Sequence, residues 1–242
     1  MNPSPTQRVV WITGAGSGIG FALAERFAAG GDTVIVSARS KEKLEVLQKN
    51  ILTSKGACDL LPCDVQNEQS TLAAAEKILK KYNMVEVLIN NAGVTYFKDF
   101  LSTSIQEFDH VINTNLRGLF LTAKAVVPTM VQHHAGKVIN ILSFVTKTTY
   151  TKSSVYSASK AGAEALMNGL RAEVRGEGVH IVNVYPGATL TPIWHPKHQE
   201  KFHDQMLKPE DIAEMVFQVS IQPTSMMVEE LVLRPQVGDF QV

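Results

Sequence analysis

Tyr156 and Lys160 stand four residues apart in Ser-Val-Tyr-Ser-Ala-Ser-Lys-Ala-Gly, residues 154–162, a segment that reads as helix. At about 3.6 residues per turn, positions four apart share one face. A free phenol titrates near ~10 and exchanges protons poorly at neutral pH. An ammonium beside it favours phenolate, so the spacing predicts a lowered Tyr156 pKa and a group able to give or take a proton. Such pairs also decorate many solvated helix faces. This one gains weight from the far end of the chain, where Thr-Gly-Ala-Gly-Ser-Gly-Ile-Gly at 13–20 follows an apolar run.

Glycines in a strand-to-helix turn let backbone approach a pyrophosphate, which then meets the N–H groups at the helix N-terminus. Gly14, Ser17, Gly18, Ile19 and Gly20 are the candidate contacts; an ordinary tight turn is the plainer reading of the same residues. The end of the second strand should tell one nicotinamide dinucleotide from the other. An acid there would accept bonds from a ribose 2′-hydroxyl, but the chain has Ala38-Arg39. Without that carboxylate a 2′-phosphate is not repelled, and the Arg39 guanidinium can bind it. NADP(H) is therefore expected over NAD(H). Arg39 as a plain surface residue leaves the missing acid unexplained.

These groups need elements to hold them. Short apolar runs at 9–13, 33–37, 60–64, 85–90, 137–142, 180–185 and 229–233 read as strands. Amphipathic segments between them read as helices: one to about residue 29, one capped by Ser40, then 68–82, 104–131 with a bend near 113–115, 153–177 and 209–221. Strands apolar on both faces, alternating with helices, indicate a parallel sheet covered on each side. The expected fold is α/β: a single doubly wound domain over 1–242, with a seven-stranded parallel sheet flanked by helices. Ligands of such sheets bind beyond the carboxyl ends of the strands, where the candidate residues fall.

Composition removes other classes. Lys plus Arg (23) balances Asp plus Glu (23), so no global field draws nucleic acid or a membrane surface. The densest basic cluster, Lys41, Lys43 and Lys49, fits the solvated face of a helix. Cys58 and Cys63 have no second pair nearby, which argues for two reduced thiols around a buried strand and against a disulfide framework or zinc site. No apolar run reaches the ~18 residues of a membrane span. The N-terminal residues run into the first strand without a charged-then-apolar signal pattern, and the expected location is the cytoplasm.

With both ends in place the chain resembles the short-chain dehydrogenase/reductase family from about Arg8 to Leu233. The resemblance is carried by Thr-Gly-x-x-x-Gly-x-Gly at 13–20, Asp64-Val65, Asn90-Asn91-Ala92-Gly93, Asn115, Ser143, Tyr156-x-x-x-Lys160, Pro186-Gly187 and Thr191. It implies a Rossmann-type fold and hydride transfer between a nicotinamide and a carbonyl or secondary alcohol. Ser143 would bond the substrate oxygen and Tyr156 would pass the proton. Lys160 would hold the nicotinamide ribose hydroxyls and, helped by the oxidised ring's positive charge, depress the tyrosine pKa, and Asn115 would position a water linking Lys160 to solvent. Asp64 and Val65 would contact adenine, and Asn91, Ala92 and Gly93 would line the ribose side. Pro186, Gly187, Thr189 and Thr191 would meet the cofactor after the sixth strand. Taken singly, Ser143, Asn115 and Asp64 also fit as a strand-end, helix-bend and turn residue.

Three departures stand out. Glu86 replaces the usual Asp, Ser17 stands where NADP-using members often have a basic residue, and Phe144 follows Ser143 where a small residue is common. Residues 94–100, 145–150 and 188–207 would set specificity, the last as a lid. Its His195, His198 and His203 lack partners at metal-ligand spacing. Lys147 and Lys152 near the mouth could receive a carboxylate or phosphate, or simply be surface lysines. The implied partners are a small carbonyl or alcohol substrate and further copies of the chain, as a dimer or tetramer through 115–133 and 154–174. Two rival readings are a non-catalytic dinucleotide-binding regulator on the same fold and a nucleotide-sugar epimerase or dehydratase, against which the compact C-terminal region argues.

Overall fold

The computed structural model describes residues 7–238, so the lead-in at 1–6 and the end at 239–242 lie outside the described residues. The strands are β1 (Val9–Thr13), β2 (Thr33–Ser37), β3 (Ala57–Leu60), β4 (Val87–Asn90), β5 (Gly136–Ile141), β6 (Val179–Pro186) and β7 (Glu230–Leu233). All pair in parallel, in the order β3-β2-β1-β4-β5-β6-β7. The helices are α1 (Gly18–Ala29), α2 (Lys41–Thr53), α3 (Glu68–Tyr82), α4 (Ile105–Ile112), α5 (Gly118–Gln132), α6 (Ser154–Val174), α7 (Pro196–Lys201) and α8 (Pro209–Ser220). Strand order reverses between β1 and β4, which opens a crevice at the carboxyl ends of the central strands.

Period-2 alternation sends successive side chains to opposite faces. Trp11, Ile35, Leu88, Val138 and Ile181 pack under α3, α5 and α6 with Ala75, Val126 and Met167. Val10, Ile12, Val34, Ile89 and Val182 pack on the other side with Leu23 and Phe27 of α1, Leu47 of α2 and Val216 of α8. Burying each large side chain contributes about 1.5–3 kcal/mol. The contact of α8 with α1 is specific: Phe27 and Phe217 meet edge-on at 5.2 Å, Arg26 lies 3.6 Å over the Phe217 ring, and Arg26 pairs with Glu214. Arg8, just before β1, grips Asp32 at 2.7–2.8 Å and the Ser220 carbonyl at 3.0 Å.

The third strand differs from expectation. It is Ala57–Leu60 instead of 60–64, because its register pairs Cys58 with Val34 and Leu60 with Val36. Beyond it, Leu61 and Cys63 still donate to the β2 edge, but Pro62 between them has no N–H to give. The bend at 113–115 is a π turn over Asn113–Arg117, separating α4 from α5. Such single wide turns interrupt helices mostly where a side chain must be aimed.

The sheet interior also holds an amide ladder. Asn90, Asn140 and Asn183 are register partners on β4, β5 and β6. The Asn90 amide donates to Asn140 at 3.0 Å, Asn140 to Asn183 at 3.0 Å, and Asn183 to Asn168 of α6 at 2.9 Å. Thr122 of α5 donates to Asn90 at 2.6 Å. Each amide is matched, as buried polar groups must be.

Candidate active site

The crevice is a cleft of about 920 Å³, walled by the chain after β1, β2, β4, β5 and β6 and by the start of α6. At one end β1 turns into α1 through Gly14 and Gly18, both with positive φ (67° and 56°). A Cβ on Gly14 would lie 2.7 Å from the Ala92 Cα, and one on Gly18 would lie 3.1 Å from the Thr191 Cβ. Side chains are excluded there for two reasons: backbone conformation, and close approach of the neighbouring loops. The turn is locked by Asn91, whose amide donates to the carbonyls of Thr13 and Gly14 at 3.0 and 3.1 Å. The Thr13 hydroxyl in return accepts from the Asn91 and Ala92 N–H groups.

Helix α1 starts without a side-chain cap from Ser17 and without an acid in its first turn. Its leading N–H groups are thus available to an anion. Two cations, Arg39 and Lys43, stand on the same rim, and neither side chain has an ion pair or hydrogen bond among the described residues. A glycine cradle, free helix N–H groups and unpaired cations suit a dinucleotide carrying an extra phosphate.

At the other end sit the candidate reactive groups. Helix α6 buries Lys160, Ala163, Met167, Arg171 and Val174 at spacings of three and four, which fixes Tyr156 and Lys160 on its inward face. The Ser143 hydroxyl, just past β5, faces the Tyr156 phenol and favours its ionised form. The Lys160 ammonium donates to the Ile141 carbonyl at 2.8 Å and lies 5.9 Å from the centre of the Tyr156 ring. The expected lowering of the Tyr156 pKa by Lys160 is not what the folded chain produces. Burial pushes the phenol up to about 12, only partly opposed by Ser143. Burial also pushes Lys160 down to about 8. Desolvation exceeds the attraction between the two groups because the ammonium is oriented toward Ile141.

Asn115, in the π turn, is 1% exposed and lies behind the cleft wall. Its amide donates to the Val94 carbonyl and the Ser159 hydroxyl, both at 2.9 Å, and accepts from the Val94 N–H at 2.8 Å. It thereby ties the loop after β4 to α6. A Cβ on Gly93 would lie 3.5 Å from both the Asn115 Oδ1 and the Lys160 Nζ, so the two groups converge at that glycine.

Of the residues the sequence singles out, Gly14, Ser17, Gly18, Ile19, Arg39, Asp64, Val65, Asn91, Ala92, Gly93, Ser143, Tyr156, Lys160, Pro186, Gly187, Thr189 and Thr191 lie on the cleft wall. Gly20 is not among them. A Cβ there would strike the Asn91 Nδ2 at 2.4 Å and the Gly14 carbonyl at 2.5 Å, so Gly20 is a packing position under the turn. Lys43, assigned by sequence to a solvated face, lies on the wall four residues after Arg39. Its place in the first turn of a helix leaving β2 was the available signal. Cys63 and Gln66 join Asp64 and Val65 there. Both cysteines are free and buried, with burial holding Cys58 up to about 12.

The segment at 188–207 is pinned at its base, where Leu190 and Leu207 donate to Leu207 and Ala188 carbonyls at 2.8 and 2.9 Å. Between these ties it carries α7, capped by the His195 imidazole, which accepts from the Lys197 N–H. No group of three or more His, Cys, Asp or Glu among the described residues could hold a metal ion. Lys147 is turned away from the cleft into Glu164 (2.7 Å) and Glu230 (3.3 Å), and Lys152 is exposed outside it.

The depressed lysine has a measurable consequence. Between pH 8 and 10.5 an unfolded Lys160 holds a proton that the folded one releases, so its contribution to stability rises with pH through that window. Lys137, also near 8, acts in the same direction, while Cys58 and Tyr156 oppose it above their ordinary values of 9.0 and 10.0. Comparison with Lys160→Met removes the shared terms. Urea unfolding without nucleotide should show wild type gaining on the variant by on the order of 2–3 kcal/mol from pH 8 to 10.5. A constant difference would show that Lys160 is not desolvated.

A model of the family described as short chain dehydrogenase matches residues 8–201. The sepiapterin reductase of Chlorobaculum tepidum is 33% identical, with 97% of this chain and 99% of that protein covered. An alcohol dehydrogenase from the archaeon Thermococcus sibiricus, complexed with 5-hydroxy-NADP, superposes with a TM-score of 0.89 at 29% identity, covering 98% of this chain and 100% of that one. A metagenomic short-chain oxidoreductase in complex with NADP gives 0.84 at 30% identity, covering 95% and 97%.

Proposed function

The chain belongs to the short-chain dehydrogenase family, and from that premise we propose that it is an NADP(H)-dependent reductase of carbonyl compounds, with the reverse alcohol oxidation open to it. The observation that carries this reading is the convergence of Ser143, Tyr156 and Lys160 at one end of a cleft whose other end is a glycine cradle rimmed by Arg39 and Lys43. The whole chain, 1–242, is read as one dinucleotide-binding domain with a lid at 188–207.

NADPH, when bound, supplies the hydride that the carbonyl carbon receives, leaving NADP⁺. Gly14, Ser17, Gly18 and Ile19 would hold the pyrophosphate, Arg39 and Lys43 the 2′-phosphate, and Asp64 and Val65 the adenine. Asn91 to Gly93, Lys160, Pro186, Gly187, Thr189 and Thr191 would hold the nicotinamide half. Tyr156 gives its proton to the carbonyl oxygen as the alcohol forms, and solvent restores it. Ser143 donates a second hydrogen bond to that oxygen and stabilises the charge gathering there. Lys160, held by Ile141, keeps a positive group behind the phenol, and Asn115 acts as a positioning residue through Val94 and Ser159.

The test is NADPH oxidation by the purified chain against small ketones, diketones, aldehydes, β-keto acids and acyl thioesters. Turnover with any carbonyl supports the reading. NADPH binding without any turnover would leave the non-catalytic regulator in its place. We further propose a homo-oligomer, dimer or tetramer, through the faces of α5 and α6. Ala158, Ala161 and Ala165 are exposed on α6, with Phe120 on α5 42% exposed. Two free thiols fit a cytoplasmic setting.

A further inference from the structure

The side chains that line the reactive end of the cleft include aromatic rings and, apart from Lys160, no charge. Phe97, in the loop after β4, stacks on Trp194 of the lid, with ring centres 4.9 Å apart and planes 19° from parallel. The Lys98 N–H donates to the Lys152 carbonyl at 2.9 Å, which joins the loop after β4 to the one before α6. Val94, Val145, Tyr150 and Ile193 extend the same wall. The charged side chains on the whole cleft wall are Arg39, Lys43, Asp64 and Lys160. The first three stand at the end away from Tyr156, and Lys160 donates to the Ile141 carbonyl behind the phenol. Of the cations nearby, Lys98 pairs with Glu107, Lys147 with Glu164 and Glu230, and Arg234 lies over the Phe144 ring at 4.2 Å, while Lys152 is exposed outside the cleft wall.

A substrate carboxylate or phosphate entering this end would lose water and meet on the wall only the Lys160 ammonium, already bonded to Ile141, so its transfer costs several-fold more than that of a neutral group. A flat ring would instead lie on the outer face, or against the edge, of the stacked Phe97–Trp194 pair. We propose that this site selects an uncharged carbonyl compound bearing an aryl or heteroaryl ring next to the reacting carbon, with the ring seated on the Phe97–Trp194 wall. This rests on the reductase reading above and names its substrate class.

The experiment compares three probes with full-length protein and saturating NADPH: 1-phenyl-1,2-propanedione, 2,3-butanedione and benzoylformate. They separate ring, small neutral and ring-plus-carboxylate. The expected kcat/KM for phenylpropanedione exceeds that of butanedione by about tenfold and that of benzoylformate by about a hundredfold. Trp194→Ala should cut the phenylpropanedione-to-butanedione ratio about tenfold, mostly through KM, while the NADPH dissociation constant holds. Phe97→Leu should move the ratio the same way and serves if the first variant folds poorly. Quenching of Trp194 fluorescence by phenylpropanedione gives a binding readout independent of turnover, since the other tryptophan, Trp11, is fully buried in the sheet. Equal or better use of butanedione or benzoylformate overturns this inference and leaves the reductase reading intact. Failure to reduce any carbonyl overturns both.

Discussion

Tyr156→Phe is expected to reduce kcat by roughly 10²–10⁴-fold, the usual worth of a positioned proton donor. That span corresponds to about 3–5 kcal/mol of lost transition-state stabilisation. The substitution keeps the ring and removes only the hydroxyl, which faces Ser143 in the folded chain. NADPH binding, followed by its fluorescence, should therefore stay close to wild type while steady-state oxidation nearly vanishes. A variant with near-normal kcat would take Tyr156 out of the reaction altogether. Loss of both binding and turnover would point instead to a structural role for the phenol.

Arg39→Asp should reverse the order of the two dinucleotides. Charge-assisted hydrogen bonds are worth about 1.5–3 kcal/mol, and the new carboxylate adds repulsion, so NADPH should lose roughly a hundredfold in kcat/KM. NADH should gain, because an acid at the end of β2 accepts from a ribose hydroxyl. Arg39 has no partner among the described residues, so its removal breaks no internal bond. Lys43 stays on the rim and should leave a residual preference that a second change, Lys43→Glu, removes. Both groups are exposed, so the wild-type preference should shrink as salt is raised. An NADPH-to-NADH ratio indifferent to Arg39→Asp would assign the cation no part in recognition.

The fold was legible because its evidence is local and repeated. Buried parallel strands are apolar on both faces, and β1, β2 and β4 announce themselves that way. β3 was displaced by several residues since its apolar pair Leu60-Leu61 lies at the strand's end; what defines it is the register against β2, a relation between distant residues. The same holds at the site. Tyr156, Lys160 and the glycine turn each carry a spacing that physical chemistry can interpret, and they lie together on the cleft. Gly20 belongs to the same string of glycines, but packing against Asn91 and not ligand approach explains it. Lys43 looked like its neighbours Lys41 and Lys49 because helix periodicity says nothing about which turn abuts a cleft. The protonation of Tyr156 depended on where the Lys160 ammonium is directed, and no spacing encodes that. The Asn90–Asn140–Asn183 ladder was invisible for another reason: amides on separate strands become partners only once the register aligns them.

The seating of α8 on α1 bears on how the molecule is made. Phe27 is completely covered in the finished protein, and part of its cover is Phe217, about 190 positions later in synthesis. A ribosome that has released β1 to β6 but still holds residues 209–220 presents a nearly complete sheet with one greasy flank bare. Until that last helix emerges, the nascent chain is a client for chaperones, and a stop codon placed shortly before it should yield insoluble material instead of a smaller working enzyme.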